Sequence, residues 1–460
     1  MTWNILKSQI YGFIFVIGLV TIYRYNWEYI ASNLELKNNK THDKELSEEE
    51  GIEIQCSVDF LRLLSGIEGE HVKNSSLVGI QIVIRHGHRT PMRRQSVVYG
   101  QEICAIAVDT AKLMSDNQKC LSDEMINRLM LYIRKPPNAI CRSSQLTSIG
   151  IAQHKMLGLF LSHRYSESIK SANFSFISTL YSRTIISLLS LKSKLLTASC
   201  NTSIQTSHSS YFCSHCDECP AMDYYKRYAP NLNYWESNGQ TSYIPIRKFF
   251  KQHINEGHVE AIFDEVTSHF CFDQKLPMLC DNDTWGKDCL LRRDYDRFFE
   301  LSLFNYNRRI SSINFQRYAY LAAREFLLNA MDNPLSFKIY SGHDITIEVI
   351  LSALRVKMSA RIPYASRVIF EFWKHESIMF FRVLFNGVSV FPTDSDLISV
   401  TQFHTYLNDR FRLLFPGVNS SSKACELDYA NILLASDTLP NDDTDESHLR
   451  SNEYLQDMVI

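Results

Sequence analysis

Val78-Gly79-Ile80-Gln81-Ile82-Val83-Ile84-Arg85-His86-Gly87-His88-Arg89-Thr90-Pro91 decides how the rest of this 460-residue chain is read. Val78 to Ile84 is an apolar run of strand length, the pattern of a strand buried on both faces of a parallel sheet. It ends directly at Arg85-His86. Open α/β sheets bind ligands outside the carboxyl ends of their strands, so the polar half of this stretch falls where such a fold places its chemistry.

Arg85 to Pro91 fits R-H-G-x-R-x-P, which fixes five positions in seven. With each residue near 5% usage, chance produces such a match on the order of once in a few million starting positions. A neutral imidazole at His86 can attack phosphorus and divide hydrolysis into two displacements through a phosphohistidine. Arg85 and Arg89 can grip the phosphoryl oxygens with fork-like hydrogen bonds, and their charge disfavours imidazolium. Gly87 suits a turn too tight or too crowded for a side chain, and Pro91 stiffens the loop exit. The bland alternative is a basic surface loop after a strand.

Two later segments repeat the strand-then-polar pattern. Phe174 to Thr179 has strand-like order and leads to Ser182-Arg183-Thr184 and a helical stretch to Leu195. Ser336 to Tyr340 ends at Ser341-Gly342-His343-Asp344 and is followed by a helix pattern from Ile345 to Leu354. Arg367 to Trp373 and Ile378 to Phe385 read as an antiparallel pair around Lys374 to Ser377, with a further strand near Val388 to Phe391. Residues 200 to 330 lack strand alternation and are expected to form a mainly helical cap over the site.

On these residues the chain resembles the histidine acid phosphatase family, in the branch whose second signature is a C-terminal His-Asp pair. The resemblance implies an α/β fold of the phosphoglycerate-mutase-like type, with helices on both faces of the sheet and a cap insertion. It implies His86 as nucleophile, Asp344 as proton donor and Arg85, Arg89, Arg183 and His343 as phosphate contacts, with no cofactor and no metal. Arg183 rests on a three-residue signature and can also be read as a helix-start arginine. Within the family the resemblance runs to Golgi type II membrane members that remove the 2-phosphate from xylose in the glycosaminoglycan–protein linkage region of proteoglycans. It covers most of residues 78 to 425, including Leu146-Thr147-x-x-Gly150, Gln153-His154 and Phe385-Asn386-Gly387-Val388. His88 stands where that group carries Asp, which leaves the substrate less determined than the chemistry. A broad lysosomal-type or inositol phosphate hydrolase of the same mechanism is the alternative, and a catalytically silent glycan-binding relative the third reading.

Hydrophobic residues make up 45% of the chain, enough for a large core, and length alone suggests two or three domain-sized units. The formal net charge of −2 gives no global reason to expect nucleic acid or membrane-surface binding. An apolar run from Ile10 to Tyr23, continuing through Trp27 and Tyr29 to Ile30, is expected to be a retained membrane anchor at residues 10–30. A cleaved signal and a buried helix are the other readings of it. Residues 1–9 then form a short cytoplasmic tail, 31–75 a lumenal stem, 76–425 the catalytic domain with its cap at about 200–330, and 426–460 a polar tail. Twelve cysteines and six N-x-S/T sequons, at Asn39, Asn74, Asn173, Asn201, Asn282 and Asn419, favour a lumenal or extracellular catalytic region. Asn173 is expected inside a strand.

Other signals weigh less. Cys213, Cys216 and Cys219 around His215, with Cys271, Cys280 and Cys289, have the density of a metal site, but disulfides are the favoured reading in a secretory compartment. Cys56 and Arg62 fit the bare C-x5-R spacing, yet no glycine between them can form an amide cradle. No P-loop, G-x-S-x-G or H-E-x-x-H motif occurs. Arg247-Lys248, Arg292-Arg293 and Arg308-Arg309 could steer an acidic glycan but read first as solvated pairs. Tyr224, Tyr225 and Trp235 could stack on sugar but read first as core.

Overall fold

The computed structural model describes residues 66–92, 107–133, 142–196, 203–214, 216–230, 244–254, 259–273, 276, 279–280, 289–358, 360–390 and 397–426. The expected anchor, tail and stem up to residue 65, the polar tail after 426, the Cys56–Arg62 pair and Trp235 lie outside them. No helix among the described residues is long and apolar enough to cross a membrane.

One mixed sheet carries the fold. Its strands are β1 (Ser76–Arg85), β2 (Phe174–Thr179), β3 (Gln205–Ser207), β4 (Phe337–Gly342), β5 (Arg367–His375), β6 (Ile378–Phe385), β7 (Val388–Ser389) and β8 (Ile398–Ser399). The order is β3-β2-β4-β1-β5-β6-β7, with β8 also on β6. β3, β2, β4 and β1 are parallel neighbours, whereas β5 runs antiparallel to β1 and opens the antiparallel half. The carboxyl ends of β1, β2 and β4 therefore share one edge. β2 matches the expected span, β4 extends two residues beyond Tyr340, and β7 stops at Ser389.

The alternation of β1 sorts the core. Ile80, Ile82 and Ile84 join the apolar layer built with α3 (Ser148–Arg164) and α5 (Ser182–Leu195). Val83, with Val368, Phe370 and Phe372 of β5, joins the opposite layer. There α10 (Ile313–Asp332), α11 (Asp344–Ala353) and α12 (Val400–Leu414) cover the sheet. Gln81 is the polar interruption of the strand; its amide nitrogen donates to the carbonyls of Ala330 (3.1 Å) and Asn333 (3.2 Å), which satisfies the donor half of the buried amide. At the Asn386-Gly387 turn both φ angles are positive, 48° and 85°, which Asn-Gly supplies for the two-residue β6–β7 hairpin.

A smaller core forms between α7 (Ile244–Ile254), α8 (Val259–Asp273) and α9 (Arg292–Ser311) around Ile246, Phe250, Ile262, Val266, Tyr295 and Phe298. It lies inside the span expected as a cap; at the ends of that span β3 joins the sheet and α10 its covering layer. Tyr224 and Tyr225 on α6 (Pro220–Tyr228) are core residues of the main layer and are not available to a sugar face. Disulfides Cys213–Cys216, Cys219–Cys425 and Cys280–Cys289 occupy the cysteine-rich stretches, and Cys120 and Cys271 are disulfide-bonded too. Among the described residues no cluster could hold a metal ion. Asn173 is exposed and precedes β2 rather than lying within it; Asn74 and Asn419 are exposed as well.

Candidate active site

β1 pairs with β4 in a register that sets Arg85 opposite Gly342, so the next residue of each strand end, His86 and His343, emerge side by side. The His86 amide donates to Gly342 O at 3.1 Å and its carbonyl accepts from Ala365 N at 3.2 Å, fixing the backbone on both sides. The two imidazole rings stand edge to face with centroids 5.7 Å apart. Arg183, one residue into α5, and Asp344, the first residue of α11, stand at helix N-termini, where unpaired amides favour an anion.

The loop after β1 is held by crowding. A Cβ on Gly87 would lie 2.4 Å from Gly150 O, and one on Gly150 would lie 2.3 Å from His88 O. The two glycines thus let the loop after β1 rest on the first turn of α3. Gly87 has no positive φ, so the crowded alternative is the operative one. Gln153 Oε1 accepts from His88 N at 2.8 Å, and the Thr147 hydroxyl lies 2.7 Å from His88 Nδ1. These contacts join the segment from Thr147 to Gln153 to the loop after β1.

His86 is buried, and its Nδ1 lies 2.9 Å from Gly87 O. A carbonyl only accepts, so Nδ1 carries the proton and Nε2 keeps its lone pair. Burial foremost, then Arg183, Arg85 and Arg89, hold its pKa well below the usual imidazole value. Burial and Arg183 likewise bring His343 to about 3. Arg183 Nη2 donates to His343 Nδ1 at 3.3 Å, and His343 Nε2 lies 3.1 Å from the Thr179 hydroxyl at the end of β2. Both histidines are neutral at physiological pH. His88 is neutral too, at about 4, chiefly through burial; its Nε2 donates to Ser268 O at 2.9 Å, tying the loop to α8.

Arg85 Nη2 lies 3.1 Å from Asp344 Oδ2, and its guanidinium stacks 4.2 Å from the centre of the Tyr364 ring. Burial disfavours the Asp344 anion, but Arg85, then Arg89, His343 and the Ile345 amide outweigh it and hold the carboxyl at about 2. At rest Asp344 is therefore an anion. Arg89 makes a two-pronged pair with Asp264 of α8, at 3.1 and 2.8 Å. Burial opposes its charge, and Asp264 more than offsets this and raises its pKa.

The six residues singled out from the sequence gather at one end of the sheet, and three of them reach a cavity of about 390 Å³. Arg85, Arg89 and Asp344 line it together with Asp264, Glu260, Tyr306, Glu348, Arg361 and Tyr364, none of which the sequence reading singled out. Arg361 forks onto Glu260 at 2.7 and 2.7 Å and lies 4.1 Å from the centre of the Phe263 ring. Glu348 follows Asp344 by four residues on α11. That i,i+4 spacing after His-Asp was the one signal that could have flagged it. Of the basic pairs, Arg309 does not face solvent as a guide; it donates to Pro230 O at 3.1 Å.

A family model, that of the histidine phosphatase superfamily (branch 2), matches residues 76–266. The chain is 27% identical over 359 residues to 2-phosphoxylose phosphatase 1 of Xenopus tropicalis, covering 70% of each. To the Homo sapiens protein of that name it is 27% identical over 364 residues, 70% of this chain and 73% of that one. A Hafnia alvei phytase in complex with myo-inositol hexakis sulphate is similar with a TM-score of 0.49 at 12% identity, over 78% of this chain and 100% of that one. The chain carries a histidine phosphatase domain and is a phosphoric monoester hydrolase.

Because Asp264 takes both prongs of Arg89, it determines where that guanidinium stands. Asp264→Ala is expected to lower kcat/KM on a phosphomonoester by roughly 10- to 100-fold, the usual cost of misplacing a binding group by about 1 Å. Steady-state kinetics on 4-nitrophenyl phosphate measures this, and an unchanged kcat/KM would show that Arg89 is held by other means.

Proposed function

We propose, on the premise that this chain carries a histidine phosphatase domain and is a phosphoric monoester hydrolase, that it removes the 2-phosphate from xylose in the linkage region of proteoglycans through a phosphohistidine at His86. His86 Nε2 attacks phosphorus while the ester P–O bond breaks, and the leaving oxygen takes a proton from Asp344. Water then attacks the phosphohistidine, returns a proton to Asp344 and releases phosphate. Arg85, Arg89, Arg183 and His343 hold the three phosphoryl oxygens as charge moves between the entering and leaving atoms. Asp344 is an anion at rest, so it must gain a proton when substrate binds. A phosphoryl group that engages Arg85 supplies the reason, since it removes the cation that favours the anion and adds a negative neighbour.

The makeup of the cavity wall carries the substrate reading. Arg85 and Arg89 line it at the phosphate end, and beyond them Arg361 is already forked onto Glu260, while Glu348 and Tyr306 complete the side. Such a wall suits one phosphate on a neutral, hydroxyl-rich body and repels a second phosphate, which disfavours an inositol polyphosphate. About 390 Å³ lies near the lower end of the ~300–1,000 Å³ range of ligand pockets. That is room for one phosphorylated pentose, with neighbouring sugars outside. The name shared by the relatives points to the same sugar.

The proposed location is the Golgi lumen, behind a type II anchor at residues 10–30. Disulfides along the catalytic domain support an oxidising compartment. In sealed vesicles the catalytic domain is expected to survive added protease; its digestion would place it on the cytoplasmic side.

For the chemistry, single-turnover labelling separates the two roles. His86→Ala is expected to abolish phosphoenzyme formation from every substrate. Asp344→Asn is expected to slow formation from a sugar phosphate by about 10² to 10⁴, the span of general acid catalysis, and from an aryl phosphate much less. Equal losses on both would leave Asp344 a positional role only.

For the substrate, kcat/KM on a 2-phosphoxylosyl linkage oligosaccharide is expected to exceed that on inositol hexakisphosphate and 4-nitrophenyl phosphate by at least about tenfold, or ~1.4 kcal/mol of transition-state binding. A preference for inositol hexakisphosphate would refute the reading of the wall.

A further inference from the structure

The cavity holds a second carboxyl pair member that the two-residue His-Asp signature does not include. Glu348 and Asp344 stand four residues apart on α11, a spacing that places both on one helix face with Cβ atoms about 5–6 Å apart. Both line the cavity beside Arg85 and Arg89. We propose that Glu348 is a proton store for Asp344, passing its proton to that carboxylate once a phosphoryl group is bound. It acts through Asp344 and is a positioning residue for the proton rather than a group that touches the reacting atoms. The proposal rests on the acid role given to Asp344 above.

The surroundings of the two carboxyls differ in the way the transfer requires. Asp344 pairs with Arg85, whereas the charges felt by Glu348 come from groups of mixed sign. These are Tyr306 and Arg309 on α9, Tyr318 on α10, Arg361, and Asp344 itself; Glu260 on α8 neutralises Arg361. Burial, with Asp344 adding to it, raises Glu348 to about 7 against the pull of the Tyr306 hydroxyl, Arg361 and Arg309. One carboxyl of the pair therefore rests charged and the other keeps its proton up to neutral pH, the separation that assigns acid and base within a site.

The step balances. The O–H bond of Glu348 breaks, the proton bonds to an Asp344 oxygen directly or over one water, and the negative charge moves to Glu348, beside Arg361 and Arg309. Binding of phosphate on Arg85 drives this, because it removes the partner that made Asp344 the stronger acid. Asp344 then gives the proton to the leaving alkoxide and takes another from the attacking water. On phosphate release that proton returns to Glu348, and the cycle closes without an outside acid.

Glu348→Gln, isosteric and without a proton to give, tests this by single-turnover phosphorylation of His86 across pH, using glycerol 2-phosphate and 4-nitrophenyl phosphate. Both probes are independent of the xylose reading. With glycerol 2-phosphate the variant is expected to be slower by roughly tenfold at about pH 5.5, less than the ~10²–10⁴ of a direct acid. The deficit should vanish as pH rises through about 7, where wild-type Glu348 has itself lost its proton. With the aryl ester the loss should stay below about twofold, since phenolate leaves without much protonation. A loss of equal size on both esters or at every pH would mark a structural role and overturn the proposal, as would no loss at all. Asp344→Asn run alongside separates the failures. If it shows no leaving-group contrast, the acid role of Asp344 falls and the store with it; if it does and Glu348→Gln does not, only the store falls.

Discussion

The parallel pairing of β1 with β4 is the constraint on which the site depends. It joins segments more than 250 residues apart, and its register, Arg85 opposite Gly342, makes His86, the proposed nucleophile, and His343 neighbours by backbone geometry rather than by side-chain reach. A slip of one residue would turn every side chain of β1 to the other face, sending Ile80, Ile82 and Ile84 out of one apolar layer and Val83 out of the other. The register is thus locked by the core on both sides. β2 pairs with β4 in turn and delivers Thr179 and Arg183 to His343. Three loops meet because three strands are parallel neighbours.

Electrostatics then does what the strands alone cannot. Three arginines converge on a buried spot, and that concentration of charge would be unfavourable without partners. Asp344 and Asp264 neutralise Arg85 and Arg89, while two neutral imidazoles add no charge. The backbone of the strand ends is fixed in the absence of substrate, and on the proposed mechanism Arg85 has still to exchange Asp344 for the phosphoryl group. The same cations serve two ends, since Arg85 and Arg89 help keep His86 neutral and Asp344 ionised.

How much of this was legible in the sequence follows from how far each determinant reaches. The end of β1, the loop after it and the His-Asp pair are local patterns, in which an apolar run stops at charged residues within a few positions. Arg183 was weaker as a motif because a lone arginine after a strand has many uses; only its contact with His343 gives it a place. Asp264, Glu260 and Arg361 carried no readable spacing, for Asp264 meets Arg89 across 175 residues, Arg361 meets Glu260 across 101, and the periodicity of α8, which carries both acids, concerns its own small core. The span read as one cap divides for a similar reason. α10 and β3 have compositions like those of the segments between them, and only pairing and burial assign them to the sheet.

That division bears on how such a domain changes substrate without changing chemistry. The phosphate end is built almost wholly from strand ends and the first turns of α5 and α11, which the main core fixes. The opposite wall is built from α8, α9 and the Arg361 segment, and α8 and α9 pack on a core of their own. Substitutions there can alter what lies beyond the phosphate while the β1–β4 register stays intact. The two parts are nonetheless coupled, through Arg89 and Met92 N to Asp264 and through His88 to Ser268 O, both acceptors on α8. His88 therefore does more than occupy the variable position of its motif. It hydrogen-bonds the loop after β1 to α8, which lines the cavity, so a change of residue there would be felt first in the placement of α8.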